Sequence, residues 1–118
     1  MAKFSVVILT KNEEKNILDC LESVRGVDDI IVIDDNSEDR TLEVIKNFDE
    51  KIKIYQRQLE NDFSSQRNFG LSKARNVWVL FLDADERLSS NLVSEIKAKI
   101  KADNFDSFKI RRTDVLWG

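Results

Sequence analysis

The 118-residue sequence has no histidine and no proline, a single cysteine and only three glycines. Without histidine, the commonest general base and the commonest transition-metal ligand are both missing. Acid–base or metal chemistry must therefore run mainly on carboxylates. A lone cysteine, Cys20, excludes an internal disulfide and points to a reducing compartment. Its place among apolar helical positions reads as a core residue. No Pro/Gly linker, low-complexity tract or internal repeat divides the chain, so one domain over 1–118 is expected. No apolar run approaches the length that spans a bilayer. An excess of basic charge is lacking too. The net charge of −3 argues against nucleic acid as a partner, because phosphate backbones select basic faces.

What is present suits a globular α/β fold: 42% hydrophobic and 35% charged residues. "FSVVILT" (4–10) and "DIIVID" (29–34) are β-branched runs of strand length. Between them, "NEEKNILDCLESVRG" (12–26) predicts a helix, with Asn12 as cap, Ile17, Leu18, Leu21 and Val24 at helical spacing, and Gly26 as the stop. Leu42, Ile45 and Phe48 mark a second helix, and "KIKIYQ" (51–56) a third strand. Phe63, Arg67, Leu71 and Ala74 fall on one side of a third helix, where Gly70 would permit close packing on a sheet. Residues 77–82 read as a fourth strand. Ser89, Ser90 or Asn91 can cap a fourth helix carrying Leu92, Val93, Ile96 and Ile100, and 107–113 alternate like a fifth strand. Strict alternation predicts a Rossmann-like, mainly parallel sheet with helices on both faces and right-handed crossovers. The apolar end at 115–117 suggests the front part of a longer protein.

In such a sheet, ligands bind beyond the carboxyl ends of the strands. Strand one ends at Thr10-Lys11-Asn12-Glu13, strand two at Asp34-Asp35, and strand four at Asp83-Ala84-Asp85, with Glu86 behind. The polar clusters are thus expected on one rim. An Asp-x-Asp turn suits Mg²⁺ or Mn²⁺, which take one or two carboxylates plus substrate phosphates. The same aspartates also suit solvated turns or helix caps. Asp34 and Asp35 can accept hydrogen bonds from a nucleobase or ribose, or can cap the next helix. Glu13 is most simply an acid facing the positive end of a helix dipole. Arg67 can clamp a diphosphate or base edge, or pair with a neighbouring acid. Lys109, Arg111 and Arg112 read as an exposed strand face.

Together and in this order, "FSVVILTKNEEKNILDCLESV", "DIIVIDDNSEDRTLEVI" and "QRNFGLSKARNVWVLFLDADERLS" resemble the nucleotide-sugar-binding half of a family 2 glycosyltransferase of the GT-A fold. "LTKNEEKNI" and "DFSSQRNFGLSKA" look closest to lipopolysaccharide-core β-glucosyltransferases. The resemblance implies an inverting transfer of a hexose, glucose by this subgroup, from a UDP-sugar to an acceptor hydroxyl such as a lipopolysaccharide-core sugar. It places Thr10 and Glu13 along the nucleotide pocket, Asp35 with Asp34 beside it at the uracil, Arg67 at the base or phosphates, and Asp83 near the ribose. Asp85 would hold Mg²⁺ or Mn²⁺. The general base and the acceptor site, for a saccharide or lipid-linked saccharide, are expected beyond residue 118. The implied setting is cytoplasmic, with peripheral association at the inner face of the cytoplasmic membrane and a homodimer both left open. The alternative is a non-catalytic nucleotide-binding or assembly module derived from the family. A phosphotransfer receiver would carry its acidic pair after strand one, and a haloacid-dehalogenase-type phosphatase would open with its aspartate loop. Neither order is found here.

Overall fold

The computed structural model describes residues 3–102. The expected strand at 107–113, with Lys109, Arg111 and Arg112, and the apolar tail at 115–117 lie outside the described residues. Four strands are present among the described residues: β1 (Ser5–Thr10), β2 (Asp29–Asp34), β3 (Lys53–Gln56) and β4 (Val79–Asp83). They alternate with α1 (Ile17–Ser23), α2 (Thr41–Phe48), α3 (Phe63–Lys73) and α4 (Ser90–Ala102). The sheet is parallel throughout, in the order β3-β2-β1-β4. This confirms the α/β class.

The composition of each strand follows its place. β2 is buried at every position and β1 at all but Leu9, which is why both read as continuous apolar runs rather than alternating ones. β3, at the edge of the described sheet, is half exposed and carries Lys53, Tyr55 and Gln56. Side chains of successive residues point to opposite faces. Val6, Ile8, Val32, Leu80 and Leu82 meet Ile17, Cys20, Leu21, Ile45, Ile96 and Ile100 in the larger core. Val7, Ile31, Ile33 and Val79 meet Phe69 and Leu71 of α3, and Ala74 just after it, on the other face.

Two helices differ from the sequence expectation. The first begins only at Ile17, because Asn12 adopts φ 52° and its side chain does not cap α1. Instead the Asn12 N–H donates to Ser37 Oγ at 2.8 Å, and Asn12 Oδ1 accepts the Glu38 N–H at 2.7 Å. The chain after β1 is thereby clasped to the chain after β2. Glu13 precedes the helix, and its N–H donates to Thr41 Oγ1 at 2.9 Å. In α3 the face turned to the sheet holds Gln66 and Gly70, while Phe63 and Arg67 are exposed. Gly70 does pack closely: a Cβ there would lie 2.5 Å from Val7 Cγ1. The fourth helix matches its expectation, with the Leu92 N–H donating to Ser89 Oγ at 3.1 Å.

Candidate functional site

The register sets the rim. Thr10 pairs with Asp34, and Leu9 with Asp83, so the ends of β2, β1 and β4 stand level. The ladder continues one step past the strands: the Asp35 N–H donates to Thr10 O at 2.9 Å and the Ala84 N–H to Leu9 O at 3.1 Å. From β1 the chain winds outward through β2 to β3, then returns to place β4 on the other side of β1. That reversal opens a crevice at the carboxyl edge, the usual ligand position in open α/β sheets.

A cleft of about 320 Å³ occupies this position. Thr10, Lys11 and Glu13 reach it from the end of β1, Asp35 from β2, and Asp83 and Asp85 from β4. The loop after β3 and the start of α3 close it with Leu59, Phe63 and Gln66. Five of the seven residues singled out in the sequence therefore meet in one cleft: Thr10, Glu13, Asp35, Asp83 and Asp85. The other two do not line it. Asp34 is fully buried, and its carboxylate accepts the Ser37 N–H at 2.8 Å and the Ser37 hydroxyl at 2.6 Å, closing the turn after β2. Arg67 is exposed, with its guanidinium 5.9 Å from the centre of the Phe81 ring.

The electrostatics of the cleft are uneven. Burial, then Glu86 and Asp85, push the Asp83 carboxyl above its ordinary value, against the opposing pull of Arg67. Beneath the cluster, burial and the same three acids push the Cys20 thiol up to about 12. Cys20 is thus a neutral core thiol. Glu86 is committed to the turn: its Oε1 accepts the Asp83 N–H at 2.7 Å, and its own N–H donates to Asp83 O at 2.8 Å. Asp35 is anchored too, its Oδ1 accepting the Leu59 N–H at 2.9 Å. Thr10 Oγ1 is the one buried side-chain oxygen or nitrogen without a hydrogen-bond partner among the described residues. Such orphans are costly in a folded protein, and this one belongs to a residue that lines the cleft.

Among the described residues no three acidic or thiol groups converge tightly enough to form a metal cage. The donor set fits a different kind of site. Mg²⁺ and Mn²⁺ commonly use one or two protein carboxylates and take the remaining ligands from phosphates and water. Asp83 and Asp85, both exposed at the rim with Glu86 close by, suit that arrangement.

Sequence reasoning missed the wall built by Leu59, Phe63 and Gln66. The loop before α3 places it: Glu60 and Asn61 both have positive φ, 51° and 61°. Arg57 then fixes α3 to β3, donating from its guanidinium to Gln66 Oε1 at 2.6 Å and to Ser65 Oγ at 2.8 Å. Asn61 next to the Asp62 cap was a turn signal, but no periodicity marks Leu59 as a lining residue.

Fold and cleft together define the class: an open parallel α/β domain with an acidic ligand cleft at its topological switch point. Within that class the chain belongs to glycosyl transferase family 2, whose family model matches residues 5–117. It is 38% identical over 109 residues to an uncharacterized glycosyltransferase of Rickettsia typhi, covering 92% of this chain and 36% of the relative. It is 31% identical to the poly(ribitol-phosphate) beta-N-acetylglucosaminyltransferase TarS of Staphylococcus aureus, covering 98% of this chain and 22% of TarS. The crystal structure of TarS 1–349 superposes with a TM-score of 0.74 at 30% identity, over 86% of this chain and 33% of that one. The same part of TarS in complex with UDP-GlcNAc gives a TM-score of 0.69 at 31% identity, over 86% and 32%. The chain thus spans about a third or less of the length of these relatives.

Proposed function

We propose that this chain is the donor-binding part of a metal-dependent, inverting glycosyltransferase that moves a hexose from a UDP-sugar to an acceptor hydroxyl. The observation that carries the reading is the convergence of Thr10, Glu13, Asp35, Asp83 and Asp85 in one cleft at the switch point. Asp35 accepts the pyrimidine N–H, and Thr10 lines the nucleotide pocket beside it. Asp83 receives the ribose hydroxyls, and Asp85 turns its carboxylate to the cation. Asp85 would hold Mg²⁺ or Mn²⁺, which would supply positive charge beside the leaving diphosphate. The apolar side chains of Leu9, Ile33 and Leu59 exclude water from the base end of the cleft, which strengthens each polar contact made there.

Glucose is the first sugar reading, from the β-glucosyltransferase-like stretches. N-acetylglucosamine is the second, favoured by the TarS complex with UDP-GlcNAc. The acceptor reading is a saccharide or lipid-linked saccharide such as a lipopolysaccharide-core sugar, met at the inner face of the cytoplasmic membrane. The general base and acceptor pocket belong to the remainder of a longer protein. Residues 1–118 form one nucleotide-sugar domain of it.

Equilibrium titration of this chain with UDP-glucose, UDP-GlcNAc and ADP-glucose, in the presence of Mn²⁺, tests the assignment. Both UDP donors are expected to bind more tightly than the adenine donor, and the tighter of the two identifies the sugar. Asp35→Ala is expected to erase the preference for uracil. Equal affinity for ADP-glucose in the unmodified chain would remove Asp35 from the base subsite.

A further inference from the structure

Among the described residues that line the cleft, Lys11 is the one cation, set against Glu13, Asp35, Asp83 and Asp85. Its ammonium lies 3.6 Å from Asp35 Oδ2, with the lysine side chain 60% exposed and that of Asp35 only 14% exposed. Asp35 Oδ1 is already taken by the Leu59 N–H. Of the two carboxylate oxygens, Lys11 covers the one that the Leu59 N–H does not hold.

We propose that Lys11 is a positioning residue that changes partner when the donor enters. This rests on the donor-site reading above. In the free protein the ammonium screens Asp35. On binding, it swings to a diphosphate oxygen and leaves Asp35 Oδ2 open to the pyrimidine N–H. The exchange runs downhill on general grounds. An ion pair at 3.6 Å whose ammonium end stands in water contributes little, whereas an ammonium facing a diphosphate makes shorter, charge-assisted hydrogen bonds. Lysine suits the move, being a compact charge on a flexible four-carbon stem. Without the exchange, the incoming diphosphate would meet four acids, and the base would meet a carboxylate already paired. Arg67 does not take this part, because it stands outside the cleft over Phe81.

The exchange gives Lys11 opposite effects on two ligands, which a merely structural ion pair would not. The test is titration of UDP and of uridine, with Mn²⁺ throughout, into the unmodified chain, Lys11→Met and Lys11→Arg. Lys11→Met is expected to weaken UDP binding about tenfold, the loss of one charge-assisted hydrogen bond. Uridine, which carries no phosphate, is expected to bind unchanged or about two- to threefold more tightly, because Asp35 is released from its ion pair. Lys11→Arg is expected to restore most of the UDP affinity. Parallel weakening of both ligands would overturn the proposal, since it would mean that Lys11 only holds Asp35 in place. Unchanged UDP affinity in Lys11→Met would overturn it as well. If the unmodified chain binds neither ligand, the donor-site reading itself fails and the proposal falls with it.

Discussion

Asp29 stands at the start of β2, at the opposite end of the sheet from the cleft, and is 3% exposed. Burial alone would raise its pKa. Hydrogen bonds from Ser5 Oγ at 2.6 Å and the Arg75 N–H at 2.7 Å, with Lys53 Nζ at 3.0 Å, outweigh burial and hold it below the ordinary carboxylate value. A depressed folded-state pKa stabilises the fold above the unfolded value, near ~3.9, and that stability is lost as pH falls through the folded value. Asp29→Asn is expected to cost about 1–3 kcal/mol at neutral pH and to flatten the acid limb of a denaturation profile. An unchanged acid limb would show that the bonds to Asp29 do not contribute. Asp34 and Asp35 show how far single residues can be read from sequence. Both were visible as strand-end acids suited to a ligand or a cap. Neighbouring side chains leave a strand in opposite directions, so only Asp35 faces the cleft while Asp34 turns back to Ser37. Neither caps α2, where Asp39 Oδ1 accepts the Thr41 N–H at 2.9 Å. Composition does not say which member of an acidic pair points where. Register and the next turn decide it.

At the scale of elements, α3 joins the two sides of the site. It carries Phe63 and Gln66 at the cleft and lies against β1 and β2 through Gly70. Gly70→Ala has two opposing effects. Alanine favours the helix by about 1 kcal/mol. Its Cβ would sit 2.5 Å from Val7 Cγ1, and Val7 is fully buried in the central strand. Overpacking of this kind costs about 1–3 kcal/mol, so a net loss of up to about 2 kcal/mol is expected. Chemical denaturation with a parallel UDP titration would detect both the loss and a weakened cleft. A stabilised variant would contradict the close contact. Gly70 was legible from sequence as a packing glycine, but the buried face of α3 was not. Leu71 and Ala74 suggested an apolar stripe extending through Phe63 and Arg67. The structure instead buries Gln66, whose amide finds partners in Arg57, and leaves Phe63 59% exposed at the cleft. A satisfied polar side chain can occupy a core-facing position that periodicity would assign to an apolar one. The strands were easier to read, because β1 and β2 are covered on both faces and leave uninterrupted apolar runs.

At the scale of the whole molecule, the net charge of −3 gives little idea of the field at the site. Four acids and one lysine line a single cleft, and the acidic turn is felt as far as Cys20 in the core below. The sheet order explains why the sequence revealed this rim. In a parallel fold every strand ends on the same edge, so polar residues after successive apolar runs are gathered without further information. The wall from α3 depends on the loop at 57–62 and on tertiary contacts, and had no comparable signature. A UDP diphosphate entering this field adds more negative charge, so binding is expected to require a cation between phosphates and carboxylates. The most direct measurement is calorimetric titration of UDP into this chain with Mn²⁺, then with EDTA, for the unmodified protein and Asp85→Ala. The account predicts binding with Mn²⁺, its loss in EDTA, and its loss in Asp85→Ala under both conditions. UDP affinity that is indifferent to EDTA and to Asp85→Ala would contradict it.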